Sequence, residues 1–584
     1  MSKEQQTPGT VGKMMSFIKP LWGILIAMNV FSLASSLFSV AVPTFTKSIV
    51  DKTQRGITGG FDMDSIMGDI LITVALIGAA FVCSLIQSFI APKLSQKMGH
   101  MLREKMNDKT NRIPLNFFDT TPEGETLSTM TNDIDMLSTT LSNTIPMLVS
   151  AATMLVGCVV LMFGTNWILA ITTIVASFMG MFLSMRILAK SAPYFKKNQN
   201  LIAKIDTLIN EDIKGLLVIK SFNAEREVTE AFTSTNKELF DSLWKSQLVM
   251  ALMGPIAMFS NNLSYILVCV VGAVLVLTGN TEIGTIIAFI QFAQLFATPI
   301  SQLTQSAGTI QPAIAAGDRV FSVLEQREFE DEGKKAIHPA SVKGTVDFDH
   351  VKFGYSPEHI IVHDFSCHVR PGQKVAIVGP TGAGKSTLIN LLMRFYEVND
   401  GDIRIDGTSI YDMPRESLHA MISMVLQETW TFEGSIRDNV VYNKEGVSDA
   451  ELMQVLKQCG LDAFVSQCPE GLDTVLSEDA GISAGQKQLI TIARAMIDGG
   501  SILILDEATS SVDTRTEAVI SAAIDKLMEG RTSFVIAHRL STIRNADKIL
   551  VLKDGDVIES GTHDELMAQQ GFYADLYMSQ FDSK

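Results

Sequence analysis

The stretch "KVAIVGPTGAGKSTLINLLMRF", Lys374–Phe395, decides the fold of the second half of this chain. "KVAIV" is a short apolar run of the kind that forms a strand buried on both faces. "LINLLMRF" is an apolar helix. Between them "GPTGAGKST" fits G-x-x-x-x-G-K-[ST] at Gly379, Gly384, Lys385 and Ser386. The loop Gly379, Pro380, Thr381, Gly382, Ala383, Gly384 lets backbone N–H groups close around the β- and γ-phosphates of a nucleotide at a helix N-terminus. Lys385 supplies a point charge, Ser386 a hydroxyl for Mg²⁺, and Thr387 ends the motif. The strand–loop–helix context is what makes the match specific.

A second stretch completes the phosphate chemistry. In "SILILDEATSSVD", Ser501–Asp513, the four apolar residues Ile502–Leu505 read as a buried parallel strand. Asp506 at its end can hold the hydration shell of Mg²⁺. Glu507, next to it, can orient or deprotonate an attacking water.

The rest of the chain has a different character. Its 584 residues exceed a single core, so at least two domains are expected. Hydrophobic residues make up 47% and charged residues only 19%, and the mean hydropathy is +0.24. The apolar residues concentrate before about Gly317, the profile of a membrane domain fused to a soluble one. A net charge of −16 argues against nucleic acid as a ligand. Cys83, Cys158, Cys269, Cys367, Cys459 and Cys468 are scattered, without the spacing of a zinc site or a disulfide framework.

Six apolar stretches are long enough to span a bilayer: Leu21–Val50, Asp69–Ile90, Leu141–Gly164, Trp167–Ala189, Leu248–Leu277 and Thr285–Gln311. The first is too long for the core of a signal peptide, and no cleavable signal pattern precedes it. Lys and Arg crowd into the 91–140 and 190–247 connections, so these, both termini and everything after 312 face the cytoplasm. Both connections have a helical pattern with few breakers. The expected fold is an α-helical membrane domain of six transmembrane helices extended into the cytoplasm (residues 1–325). A linker (326–342) and an α/β nucleotide-binding domain (343–584) follow it. Met and amide side chains in the spans suit a cavity for varied hydrophobic ligands, or ordinary packing between helices. The absence of a charge at any span centre argues against an ion pathway.

Motifs in this order and spacing resemble the exporter-type half-transporters of the ABC superfamily over nearly all of residues 10–580. The resemblance implies a RecA-like P-loop domain with a helical subdomain, with ATP and Mg²⁺ as its ligands. Tyr355 in "FGY" resembles the aromatic that stacks on adenine. Gln427 in "MVLQETW" is similar to the Q-loop residue that touches Mg²⁺ or water, "SSVD" to the D-loop ending in Asp513, and His538 in "IAHRLST" to the switch histidine. "NFFDTTPEGETLSTMTNDID" (Asn116–Asp135) and "GLLVIKSFNAEREVTEAF" (Gly215–Phe232) resemble the coupling elements that rest on nucleotide-binding domains. The family places such proteins in the bacterial cytoplasmic membrane, with the nucleotide-binding domain in the cytoplasm.

"DAGISAGQKQLITIARA", Asp479–Ala495, resembles the signature motif. It keeps Ser483, Gly485 and Gln486 but carries Ile482 and Ala484 where the family usually has Leu and Gly. In this family the signature of one chain completes the ATP site of another. If that position needs a backbone conformation natural to glycine, Ala484 weakens the motif by about 1 kcal/mol, and its methyl can also crowd a phosphate. An intact Glu507 with a weakened signature resembles the catalytic-glutamate subunit of heterodimeric multidrug exporters. The expected partners are therefore a second, different ABC half and the membrane lipids around the spans, and the expected cargo is a hydrophobic or amphiphilic compound, drug-like or lipid. The alternatives are a homodimeric lipid or peptide exporter, a siderophore importer on the exporter fold, and a gated channel.

Overall fold

The computed structural model describes residues 10–329, 342–356, 358–427, 429–476, 482–506, 514–536 and 543–581. The chain divides into two compact units: Met1–Asn111 with Glu123–Gln326, and Arg112–Pro122 with Arg327–Lys584.

The first unit is helical. Helix α1 (Thr10–Phe17) and a 3-10 turn (Lys19–Leu21) lead into α2 (Trp22–Gly59) and α3 (Met63–Thr110). The short helix α4 (Leu115–Thr120) belongs to the second unit. The first unit resumes with α5 (Glu123–Ser128), a π-helical turn (Thr129–Asp133), α6 (Ile134–Thr165), α7 (Trp167–Lys214), α8 (Leu216–Ser221), α9 (Glu225–Leu277) and α10 (Ile283–Leu324). Among the described residues six helices are long and apolar enough to cross a membrane. Helices α3, α7 and α9 continue well past their apolar runs, as the helical pattern of the connections predicts.

Local chemistry fixes the tight connections. Asn166 joins α6 to α7 alone, and its side-chain oxygen accepts from the N–H groups of Ile168 (3.1 Å) and Leu169 (3.2 Å), capping α7. Helix α9 ends in a Schellman turn: Gly279 is left-handed at φ +76°, and the Asn280 N–H reaches the Leu275 carbonyl at 2.9 Å. A cluster of Val40, Cys158, Met162, Leu169, Val268, Phe289, Phe292 and Phe296 packs α2, α6, α7, α9 and α10 together.

Where no water can drive helices together, short polar contacts do so. Ser36 and Ser150 share a hydrogen bond of 2.7 Å, and Ser32 Oγ donates to the Pro146 carbonyl at 2.9 Å. Ion pairs hold the ends. Lys52 pairs with Asp69 at 2.5 Å, and the Gly284 N–H donates to Asp51 at 2.8 Å. At the other end Arg319 of α10 binds Asp133 of the π-turn through two hydrogen bonds, of 2.8 and 2.6 Å.

The second unit is α/β. Its first sheet is antiparallel, in the order β2 (Val362–Val369), β1 (Val346–Phe353), β4 (Asp400–Ile405), β5 (Thr408–Ser409). The second sheet holds six strands in the order β12 (Asp556–Gly561), β11 (Lys548–Lys553), β3 (Lys374–Val378), β10 (Thr532–Ile536), β9 (Ile502–Asp506), β6 (Ile422–Val425). Strands β11, β3, β10, β9 and β6 run parallel. A two-stranded pair, β7 (Gly434–Ser435) and β8 (Val475–Leu476), stands apart.

The central strands alternate between two cores. Ala376, Val378, Leu503 and Leu505 join a core built with helices α13 (Ile436–Val441), α14 (Asp449–Gln458), α15 (Asp462–Gln467), α16 (Ala484–Asp498) and α17 (Thr514–Met528). Val375, Ile377, Ile502 and Ile504 face the other core, with the first sheet, α11 (Lys385–Leu392) and α12 (Arg415–His419). Both faces of the sheet are covered, which is why "KVAIV" and "ILIL" carry no polar alternation. The fold is the expected one: six membrane helices, then an α/β domain with a helical part.

Candidate functional site: the carboxyl edge of the parallel sheet

In an open parallel sheet, ligands sit beyond the carboxyl ends of the strands. Strands β3, β9 and β6 run the same way, so the segments that follow them emerge at one edge: the phosphate loop after Val378, Asp506 at the end of β9, and Gln427 two residues after Val425. That common edge gathers the phosphate loop, the acidic side chain and the amide from positions far apart in sequence.

The loop has the backbone that a phosphate cradle needs. Gly379 (φ +158°), Gly382 (φ +84°) and Gly384 (φ +94°) have positive φ, and Gly384 is the left-handed N-cap of α11 with no side-chain cap. A β-carbon on Gly379 would lie 2.3 Å from the Leu552 carbonyl oxygen, so packing as well as φ demands glycine there. The first N–H groups of α11 are left to the ligand. Ala383 and Thr387 are buried under the loop, while Pro380, Thr381 and Ser386 face outward.

The Lys385 ammonium donates to the carbonyls of Gly379 (2.8 Å) and Pro380 (2.9 Å). Burial pushes its pKa below the ordinary lysine value, and the Asp506 carboxylate works against that shift. A half-buried cation held over its own loop is a counter-charge ready for polyphosphate. Ser386, Asp506 and Gln427, which end or follow strands at this edge, would offer a hydroxyl, a carboxylate and an amide oxygen, hard donors that suit Mg²⁺ rather than a soft metal.

Tyr355 is 50% exposed, so part of its ring is open to a ligand. It makes T-shaped contacts with Phe353 and Tyr396, each with ring centroids 5.1 Å away. A cavity of about 430 Å³ lies beside it, walled by Pro114, Asn116, Phe329, Tyr396 and Arg415. Sequence reasoning missed Tyr396, Arg415 and their side of the site. No local pattern marks them.

The signature segment shows how Ala484 is accommodated. Ser483 is the N-cap of α16, in a reciprocal capping box: the Gln486 N–H donates to Ser483 Oγ at 3.2 Å, and the Ser483 N–H donates to Gln486 Oε1 at 3.0 Å. Ala484 is the first helical residue and has an ordinary negative φ. The position therefore does not require a glycine conformation, and the expected backbone penalty is absent. The Ala484 methyl is exposed on the helix end, Gly485 is buried, and Ile482 packs against the helical core. Since Ser483 Oγ only accepts within the box, its own proton is free to donate. Glu507, Asp513 and His538 lie outside the described residues, as does the rest of "SSVD".

A mononucleotide cradle at the carboxyl edge of a parallel sheet, carried by a chain with six membrane-crossing helices, defines a membrane-bound P-loop ATPase. Comparison with known proteins gives the family. Residues 25–300 match the ABC transporter transmembrane region and residues 362–510 the ABC transporter domain. The chain is 36% identical to the ABC transporter ATP-binding protein YfiC of Bacillus subtilis (strain 168), over 100% of this chain and 96% of that one. It is 40% identical to a fatty acid ABC transporter ATP-binding/permease protein of Mycobacterium bovis, over 88% of this chain and 81% of the relative. It is also 33% identical to an ATP-dependent lipid A-core flippase of Syntrophus aciditrophicus, over 85% and 83%. The chain belongs to the ABC transporters, as an exporter-type half-transporter: a multi-pass membrane ATPase with its nucleotide-binding domain in the cytoplasm.

Proposed function

We propose that this chain exports hydrophobic or amphiphilic compounds, lipid or drug-like, as one half of a two-chain transporter whose other half is a different ABC chain. The observation that carries the two-chain reading is the exposed start of α16. Ser483 and Ala484 face solvent at a helix N-terminus, whose first N–H groups have no acceptor inside the helix. Such an end is half of an anion site, and the cradle at α11 is another half. A second support is α8, whose Leu216, Leu217 and Val218, with the adjoining Phe222, are exposed, Leu217 at 80%. A helix so apolar outside a membrane span needs a surface to rest on, and a second nucleotide-binding domain provides one. We assign α4 and α8 as the coupling elements of the membrane domain (1–325), the linker to 326–342 and the nucleotide-binding domain to 343–584.

Within this reading each residue has a role. The loop 379–384 binds phosphate through backbone N–H groups, Lys385 neutralises it, and Tyr355 stacks on adenine. Ser386, Asp506 and Gln427 hold Mg²⁺, which when bound screens the charge developing between the β- and γ-phosphates. Glu507 orients or deprotonates water, and His538 supports the γ-phosphate. Asp513, Ser483, Gly485 and Gln486 close the site across the two chains. The different-partner reading rests on the exposed Ala484 methyl in a chain whose sequence keeps Glu507. A lipid or amphiphile as cargo is supported by the printed names of two relatives and by the apolar α7 and α9, with Met179, Met185, Met250 and Met258 exposed.

The test is subunit composition by native mass spectrometry, with ATPase measured on each species. A stable, active complex formed only with a second, different ABC half is expected. An active dimer of this chain alone overturns the different-partner reading. Glu507→Gln is expected to reduce turnover at least a hundredfold while ATP still binds. Phosphate release at the original rate sinks the assignment of Glu507. Accumulation of substrate against a gradient in vesicles separates an exporter from a channel.

A further inference from the structure

Helix α4 is separated from the phosphate loop by more than 250 residues, yet it packs into the same compact unit. The contact is specific. Tyr396 follows α11, and its phenol O–H donates to Asp119 Oδ2 of α4 at 2.5 Å. The same ring meets Tyr355 edge-to-face, with centroids 5.1 Å apart and planes at 88°. One half-buried side chain thus touches both the adenine-stacking tyrosine and the short helix.

The loop that carries Tyr396 is held rigidly. Arg394 is 2% exposed and donates to the carbonyls of Ile410 and Met413, both at 3.2 Å, and to Glu397. Arg415 also pairs with Glu397, and its guanidinium lies 3.9 Å over the Phe329 ring. The Phe329 N–H in turn donates to the Arg112 carbonyl at 3.0 Å, just before α4. With both ends of the cavity wall fixed, Tyr396 has little freedom except what Asp119 and Tyr355 allow. Burial and the Asp119 carboxylate keep the phenol's pKa above the ordinary tyrosine value, so it stays a donor at any physiological pH.

We infer that Tyr396 is a positioning residue that ties occupancy of the adenine subsite to α4 through its hydrogen bond to Asp119. The inference rests on the reading of Tyr355 as the adenine-stacking residue. Coupling between two sites is reciprocal. If a base stacked on Tyr355 favours the present arrangement of the two rings, it also favours the Tyr396–Asp119 bond. Breaking that bond then weakens adenine binding by the same factor. The link reports the base, whereas the phosphate loop reports the phosphates.

The experiment is ATP and UTP kinetics on the complete transporter, with its partner half, in lipid nanodiscs. Tyr396→Phe and Asp119→Ala are each expected to raise the KM for ATP about threefold to tenfold, the range for an ordinary intramolecular hydrogen bond. The double variant should be no worse than either single one. Asp119→Asn, which keeps an acceptor oxygen, should restore the KM. UTP, whose smaller base overlaps less with Tyr355, should respond to none of these changes. An equal rise for ATP and UTP, additive effects in the double variant, or an unchanged ATP KM in Tyr396→Phe overturns the inference. Tyr355→Ala separates the two readings. If it leaves the ATP KM unchanged, the stacking role itself falls; if it raises the KM while Tyr396→Phe does not, only the link to α4 falls.

Discussion

Two helices of the nucleotide-binding unit begin at candidate anion sites, and they begin in opposite ways. Helix α11 starts from a left-handed glycine, Gly384, with no side-chain cap, after a loop in which Gly379 and Gly382 also have positive φ. Helix α16 starts from Ser483 in a capping box, with ordinary helical backbone at Ala484. The first start wraps around its ligand and must be glycine-rich. The second only presents a helix end and one hydroxyl, so its backbone tolerates a side chain. The difference teaches that a glycine-to-alanine change in a motif cannot be priced without its φ: at α16 what remains of the argument is the methyl's exposed position.

Three substitutions test this contrast, in falling order of effect. Gly384→Ala places a side chain at φ +94°, where space is adequate because Ile361 lies 3.5 Å from the added carbon. The conformation itself costs about 1–2 kcal/mol. ATP affinity of the full transporter, measured by calorimetry, should fall about tenfold. Unchanged affinity would show that the loop does not need its left-handed turn. Ser483→Ala removes the cap of α16 and should destabilise the helix by about 1 kcal/mol. A lowered Tm, with reduced turnover at whichever site this end completes, is the expected result. An unchanged Tm contradicts the capping role. Ala484→Gly has the smallest effect. It should weaken the helix start by at most about 1 kcal/mol and, if the partner is the different ABC half proposed above, without a base of its own, leave ATP turnover of the two-chain complex nearly unchanged. A several-fold rise in phosphate release would mean that the facing site is competent, and that the chain pairs with itself or an equal.

Much of this was legible in the sequence because it is written locally. "KVAIVGPTGAGKSTLINLLMRF" holds its strand, loop and helix in one continuous stretch, and the apolar runs mark the six membrane helices directly. The tight connections at Thr165–Asn166 and 278–284 were visible as interruptions of those runs. What escaped are side-chain pairings between distant segments. Nothing around Asp119 points to Tyr396, nothing in "NDID" points to Arg319, and nothing near Asp51 announces the Gly284 N–H. Such pairs depend on how helices are laid side by side, and periodicity within one helix carries no information about that. The backbone state at Ala484 was equally hidden, since the same letters serve a strained turn or a relaxed helix start.

The short turns at Gly60–Asp62, Asn166 and Thr278–Glu282 have a consequence outside the membrane. With so little chain emerging there, an antibody or protease added to intact cells finds almost nothing to grip. A tag inserted at one of these turns is therefore the handle by which a reagent outside the cell can reach the chain.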